Sequence, residues 1–213
     1  MVTLVVDNKE LKVEQGTVLL DACLDQGIYI PHLCHLRGAS EAHASCRLCF
    51  VEIEGVGDPV CSCTVKVRQG MVVKTDAPRV RELQIRALRL LLSAHDVDCA
   101  HCPANKKCPL QTMAGFLHVG LKADGLETAL KAPPILDAHP FITYHPSRCV
   151  LCARCVRMCR TQYGLPHMAF AGRGFDTLIT FFSDGKAPDC ETCLACVQVC
   201  PVAALTLRIK KDP

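Results

Sequence analysis

Cys149-Val150-Leu151-Cys152-Ala153-Arg154-Cys155-Val156-Arg157-Met158-Cys159 and Cys190-Glu191-Thr192-Cys193-Leu194-Ala195-Cys196-Val197-Gln198-Val199-Cys200 are two copies of one pattern, C-x-x-C-x-x-C-x-x-x-C, with identical internal spacing. Three closely spaced cysteines wrap a loop around one centre. The fourth stands at the start of the helix that follows and points elsewhere. A tetrahedral zinc site draws its ligands as two pairs and has no use for a third cysteine in each loop. The repeat therefore reads as two polynuclear thiolate sites within residues 139–213.

The spacing, with Pro201 after the second copy, is that of bacterial two-cluster ferredoxins, in which the fourth cysteine of each copy ligates the other cluster. One 4Fe–4S cluster is expected on Cys149, Cys152, Cys155 and Cys200. The other is expected on Cys190, Cys193, Cys196 and Cys159. Arg160 follows Cys159 where the pattern has proline, a small departure.

The chain has 213 residues, 17 of them cysteine, with 24 basic against 21 acidic residues. The near balance of charge gives no electrostatic footprint for nucleic acid. No apolar run reaches the roughly 18 to 20 residues of a membrane helix. Asp7 interrupts the short apolar run at the amino terminus, which does not read as a signal peptide. Disulphide frameworks belong to secreted chains, so cysteines at this density without an export signal point to metal in a reducing cytoplasm.

Upstream of the repeat the texture is α+β. Thr3–Val6, Leu11–Val13, Phe50–Ile53, Val60–Val67 and Met71–Lys74 read as strands, and Thr17–Gln26 as a helix stopped by Gly27. This order suits a β-grasp domain over residues 1–78. Within it, Cys34, Cys46 and Cys49 with either Cys61 or Cys63 form a 2Fe–2S set. Its first gap is longer than the plant-type spacing. Cys61 and Cys63 lie two apart on the predicted strand and so share a face. Cys23, within the first helix, reads as a packed thiol.

From residue 80 a helix to about Ala94 is expected, with Leu83, Ala87, Leu90, Leu91 and Ala94 at helical spacing and Arg79, Arg81, Arg86 and Arg89 on a solvated face. It leads into H-x₃-C-x₂-C-x₅-C, made by His95, Cys99, Cys102 and Cys108, in a small domain over 79–118. The three cysteines lack a fourth ligand. His95 stands one helical turn before Cys99, and Asp96 and Asp98 suit harder metals. Residues 119–138, with Pro133-Pro134 and no cysteine, read as a connector. Gly172-x-Gly174 lacks the third glycine of a dinucleotide fingerprint and reads as a turn.

Taken together, Ile30-Pro31-His32-Leu33-Cys34, Arg47 between Cys46 and Cys49, Val51-Glu52, Leu91-Leu92 before His95, and Gly172-Arg173-Gly174-Phe175-Asp176 resemble the iron–sulphur subunits of complex I, of NAD-reducing hydrogenases and of NAD-dependent formate dehydrogenases. The resemblance covers nearly the whole chain; His145 stands where relatives commonly carry an acidic residue. It implies Cys63 as the fourth 2Fe–2S ligand, since Cys63, Thr64, Val67 and Gly70 match the family frame, and leaves Cys61 a packed thiol. It also implies a 4Fe–4S cluster on His95, Cys99, Cys102 and Cys108. An imidazole in place of a thiolate removes a negative charge and should ease reduction of that cluster.

The implied function is a one-electron relay through one 2Fe–2S and three 4Fe–4S clusters. It would run between a flavoprotein that exchanges hydride with NAD(H) or NADP(H) and a separate catalytic subunit, a hydrogenase first. Ferredoxin is a third candidate partner if the complex bifurcates electrons. A formate dehydrogenase terminus and a complex I-like quinone module are the alternatives; a zinc scaffold or an iron–sulphur regulator is a remote one. Larger relatives continue into a catalytic domain where this chain stops at Pro213. With no dinucleotide fingerprint, P-loop or H-E-x-x-H pair, a small diaphorase-type subunit without a substrate-converting site is expected.

Overall fold

A computed structural model of the chain describes residues 1–39, 41–122, 125–132, 135–136, 139–163, 167–182 and 190–208, the side chains of 161–163 excepted. Pro133-Pro134 lies outside the described residues. The chain divides into two compact units, residues 1–89 with 113–119, and residues 90–112 with 120–213.

In the first unit, β1 (Val2–Val6) and β2 (Lys9–Val13) form an antiparallel hairpin in the register Val2↔Val13 to Val6↔Lys9. Asp7 and Asn8 turn it with φ of 48° and 67°. These residue types tolerate left-handed backbone, and two such residues match the twist of the strands. Alternation in β1 buries Val2, Leu4 and Val6. They meet α1 (Leu19–Asp25), which buries Leu19, Leu20, Ala22 and Cys23. Then follow β3 (Phe50–Ile53), β4 (Val60–Cys61) and β5 (Val72–Lys74). The sheet order is β2-β1-β5-β3-β4, with β1 and β5 parallel at its centre. Asp7 ties the hairpin to the end of β5 by accepting from Thr75 N (2.8 Å) and Thr75 Oγ1 (2.5 Å).

Two expectations for this unit need correction. The strand expected over Val60–Val67 ends at Cys61, and Ser62–Thr64 forms a 3₁₀ turn. Beyond it the chain leaves β3 and pairs with the entry to α1: Val67 N donates to Thr17 O and Leu19 N to Val65 O. That pairing holds Thr17 and Val18 extended, which is why α1 starts at Leu19 rather than Thr17. Cys61 and Cys63 therefore do not share the face of one strand.

The second correction concerns α2 (Pro78–Ser93). Its fully buried stripe is Val80, Gln84, Leu88 and Leu92, while Leu90 is 62% exposed and Leu83, Ala87 and Leu91 are half-buried. A glutamine sits in the stripe because its side chain is satisfied: Nε2 donates to Phe50 O at 3.1 Å, and Oε1 accepts from Arg81 at 3.0 Å. Arg79 and Arg86 are solvated and paired to Asp58 and Glu82. Arg81 is not a solvated residue; its guanidinium lies over the Phe116 ring, 4.3 Å from the centroid, and bonds Asp76.

The second unit takes in the 3₁₀ turn at Cys99–His101 and the start of α3 (Pro109–Phe116). Further on, β6 (Ile142–Tyr144) is followed by the first cysteine loop and α4 (Arg154–Tyr163). β7 (Met168–Ala171) and β8 (Leu178–Phe181) form an antiparallel hairpin. Gly172 turns it with φ +80°, and a Cβ there would fall on the Asp176 carbonyl, so the glycines serve a turn as expected. The second cysteine loop follows with α5 (Cys190–Cys193) and α6 (Ala195–Val199), then β9 (Leu205–Leu207). β9 pairs antiparallel with β6, Tyr144 opposite Leu205, and α4 packs on α6. This closure brings the end of the second copy back to the start of the first. No helix among the described residues is long and apolar enough to cross a membrane.

Candidate metal centres

In the first unit five thiols gather between the loop after α1 and the β3–β4 edge. Cys34 and Cys46 stand within hydrogen-bonding reach of one another, which draws the Cys34 thiol down and pushes Cys46 up. Cys61 and Cys63 both stand within hydrogen-bonding reach of Cys49, which pulls the Cys49 thiol down and pushes both partners up. All five are buried. Register explains the convergence: Phe50↔Cys61 sets Cys61 beside the start of β3, and the 3₁₀ turn is anchored by Ser62 N and Oγ donating to Cys49 O at 2.8 and 2.9 Å. Cys61, expected to be a packed thiol, is thus in the same group as Cys63. Cys23 is apart, in the apolar core, where burial pushes its thiol up to about 12.

In the second unit Cys99, Cys102 and Cys108 act on one another. Cys108 is raised by burial and then by the charges of Cys102 and Cys99. His95 follows α2. Its Nδ1 lies 2.8 Å from Arg148 O, so Nδ1 carries the proton donated to that carbonyl and the lone pair is on Nε2. Burial lowers its pKa, keeping the ring neutral. This is the orientation of a metal-ligating histidine, although no described contact joins the ring to the three cysteines.

The repeat folds across itself. Cys149, Cys152, Cys155 and Cys200 line one cavity together with Tyr144, Ile179, Val202 and Ala204. Cys152 and Cys155 are raised by burial and by the charges of their neighbours, Cys200 among them. Cys200 accepts from Ala204 N at 3.2 Å. Cys196 is raised by burial and then by the charges of Cys159 and Cys190. Cys193 ends the same short helix that Cys190 begins. The fourth cysteine of each copy is thus with the other copy's loop.

The loops carry a signal that their residue types do not announce. Arg47, Lys106, Leu151, Ala153 and Leu194 all have positive φ, between 46° and 65°. Each lies within a cysteine loop. Left-handed backbone costs such residues roughly 1–2 kcal/mol each, and turns of this kind aim successive N–H groups at a bound anion. Arg154, between Cys152 and Cys155, buries its Nε without a hydrogen-bond partner among the described residues. Such a donor is costly unless an acceptor from outside the protein stands there. Among the described residues no three His, Cys, Asp or Glu side chains could hold a single metal ion. Grouped sulphurs, inward N–H groups and an orphaned cationic donor fit an anionic thiolate-bound cluster better than a zinc ion.

Residues 1–78 match the 2Fe-2S iron-sulfur cluster binding domain family. Residues 85–120 match the NADH-ubiquinone oxidoreductase-G iron-sulfur binding region, and residues 139–206 the ferredoxin-like domain of NADH-quinone oxidoreductase subunit 3. The chain is 34% identical over 215 residues to the mitochondrial NADH-ubiquinone oxidoreductase 78 kDa subunit of Neurospora crassa, covering 97% of this chain and 28% of that protein. It is 34% identical over 211 residues to NADP-reducing hydrogenase subunit HndD of Solidesulfovibrio fructosivorans, covering 96% and 36%. It superposes on a chain of the crystal structure of an NAD+-reducing NiFe hydrogenase in the H2-reduced state with a TM-score of 0.85 and 26% identity, covering 98% of this chain and 88% of that one. The chain spans about a third of the length of these two curated relatives.

Proposed function

The chain belongs with the proteins built on iron–sulphur domains of the NADH-ubiquinone oxidoreductase-G type, and from that premise we propose that it is an electron-relay subunit of an NAD(P)-linked hydrogenase complex. The layout proposed is a 2Fe–2S domain over 1–78, a His-Cys₃ domain over 79–118, a connector over 119–138 and a two-cluster domain over 139–213. Cys34, Cys46, Cys49 and Cys63 would hold the 2Fe–2S cluster. His95, Cys99, Cys102 and Cys108 would hold one 4Fe–4S cluster; Cys149, Cys152, Cys155 and Cys200 the second; and Cys190, Cys193, Cys196 and Cys159 the third. When bound, such clusters take up and release single electrons at potentials set by cluster type, ligand charge, hydrogen bonds and exposure.

The observation that carries this reading is the exchange across the repeat, Cys200 lining the cavity of Cys149, Cys152 and Cys155. The protein's own part is to supply thiolates from buried and half-buried positions, to aim backbone N–H groups at them, and to keep the His95 imidazole neutral with Nε2 as the donor atom. The proposed partners are a flavoprotein that exchanges hydride with NAD(P)H and a hydrogenase catalytic subunit, with ferredoxin as a third partner if the complex bifurcates. Support for the hydrogenase comes from similarity to a subunit named for NADP-reducing hydrogenase and to a structure of an NAD+-reducing one. The setting proposed is a reducing cytoplasm.

A second reading is favoured by the similarity to the 78 kDa subunit of NADH-ubiquinone oxidoreductase: the same relay feeding quinone. A formate dehydrogenase terminus is the third. The native complex, purified anaerobically through a tag on this chain, is assayed for NAD(P) reduction with hydrogen, for NAD(P) reduction with formate, and for quinone reduction with NADH. Hydrogen-driven reduction with a co-purifying hydrogenase subunit is expected. Formate-driven or quinone-linked activity alone would move the terminus, and a chain isolated without partners or activity would overturn the relay.

A further inference from the structure

Tyr144 is 1% exposed and stands at the end of β6, directly before the first cysteine loop. Its hydroxyl oxygen accepts from the backbone N–H of Ile179, on β8, at 3.2 Å. A phenol that has accepted on oxygen keeps one proton to give. Tyr144 lines the same cavity as Cys149, Cys152, Cys155 and Cys200, with the Cys149 sulphur near enough to act on its hydroxyl. The residue has little freedom to do otherwise. Its backbone N donates to Leu136 O, its carbonyl accepts from Leu136 N, and β9 fixes it opposite Leu205.

We propose that Tyr144 is a positioning residue that raises the reduction potential of the centre on Cys149, Cys152, Cys155 and Cys200, by donating its O–H to the Cys149 sulphur from a seat fixed by Ile179 N–H. The inference rests on the cluster reading above. A hydrogen bond to a ligand sulphur withdraws negative charge and favours the more negative, reduced state. Tyr144 would therefore shift the potential of the centre beside β6 upward.

The test is an EPR-monitored redox titration of the anaerobically purified native complex with Tyr144 intact, with Tyr144→Phe, and with 3-fluorotyrosine placed at position 144. Tyr144→Phe keeps the ring and removes the donor; the fluorinated residue is a stronger donor of the same shape. The expected result is unchanged iron content and opposite shifts of one 4Fe–4S midpoint, negative for phenylalanine and positive for fluorotyrosine, with the other midpoints unmoved. Full iron content with an unmoved midpoint in both variants overturns the proposal while leaving the cluster reading standing. Should Tyr144→Phe lose its iron, the fluorotyrosine shift decides alone. Absence of iron–sulphur signals from the unaltered complex would instead defeat the cluster reading.

Discussion

The Nδ1 atom of His95 sits 2.8 Å from the carbonyl oxygen of Arg148, across 53 residues of sequence. That bond fixes the tautomer and leaves Nε2 as the only ring atom able to ligate. A neutral ligand in place of a thiolate makes a cluster less negative and easier to reduce. His95→Cys is therefore expected to lower one 4Fe–4S midpoint by about 100 mV or more, judged against the several hundred mV that two histidines give Rieske centres. A redox titration followed by EPR checks this, and an unmoved or raised midpoint would count against His95 as a ligand.

Cys61 and Cys63 both reach Cys49, so geometry alone leaves either as the fourth 2Fe–2S ligand. The family frame around Thr64, Val67 and Gly70 favours Cys63. Cys63→Ser should change the visible circular dichroism and the EPR g-values of the 2Fe–2S centre. Cys61→Ser should leave both as they are. The reverse pattern would transfer the role to Cys61.

Gln84 is fully buried and donates to Phe50 O at the start of β3. Gln84→Ala leaves that carbonyl without its donor, and Arg81 without one of its acceptors, at a cost of roughly 1–3 kcal/mol. Amide exchange should show about five-fold or greater loss of protection in β3 and α2, since each 1.4 kcal/mol is a factor of ten. Protection equal to that of the unaltered chain would show that the contact contributes little.

Gly172 and Gly174 offer an internal comparison. Both have positive φ, but a Cβ on Gly172 meets the Asp176 carbonyl, whereas one on Gly174 meets open space. Gly174→Ala should cost the roughly 1–2 kcal/mol of left-handed backbone. Gly172→Ala should cost more and open the β7–β8 hairpin to proteolysis. Equal susceptibility of the two variants would show that the close approach is not limiting.

Much of this architecture was legible in the residues. Val2, Leu4 and Val6 alternate as a half-buried strand must, Gly27 ends α1, and the cysteine intervals of the repeat anticipate the meeting of Cys200 with Cys149, Cys152 and Cys155. Other features depend on tertiary pairing that no local pattern records. Val60–Val67 is apolar and β-branched enough to read as one strand, and only the pairing of Val65 and Val67 with Leu19 and Thr17 breaks it at Cys61. Gln84 hides the true stripe of α2, because a polar residue in an apolar face is a sign of burial only when its partners are known. Leu151, Ala153 and Leu194 give no glycine signal for their left-handed backbone. The hydroxyl of Tyr144 depends on Ile179, 35 residues away.

The central claim is a chain that carries clusters of two types, and the most direct test is its inorganic content. Iron and acid-labile sulphide are determined per chain after anaerobic purification, alongside zinc and the EPR spectrum of the reduced protein. The account predicts about fourteen irons and fourteen sulphides per chain, with one 2Fe–2S and several 4Fe–4S signals. A colourless chain loaded with zinc and lacking labile sulphide would contradict it.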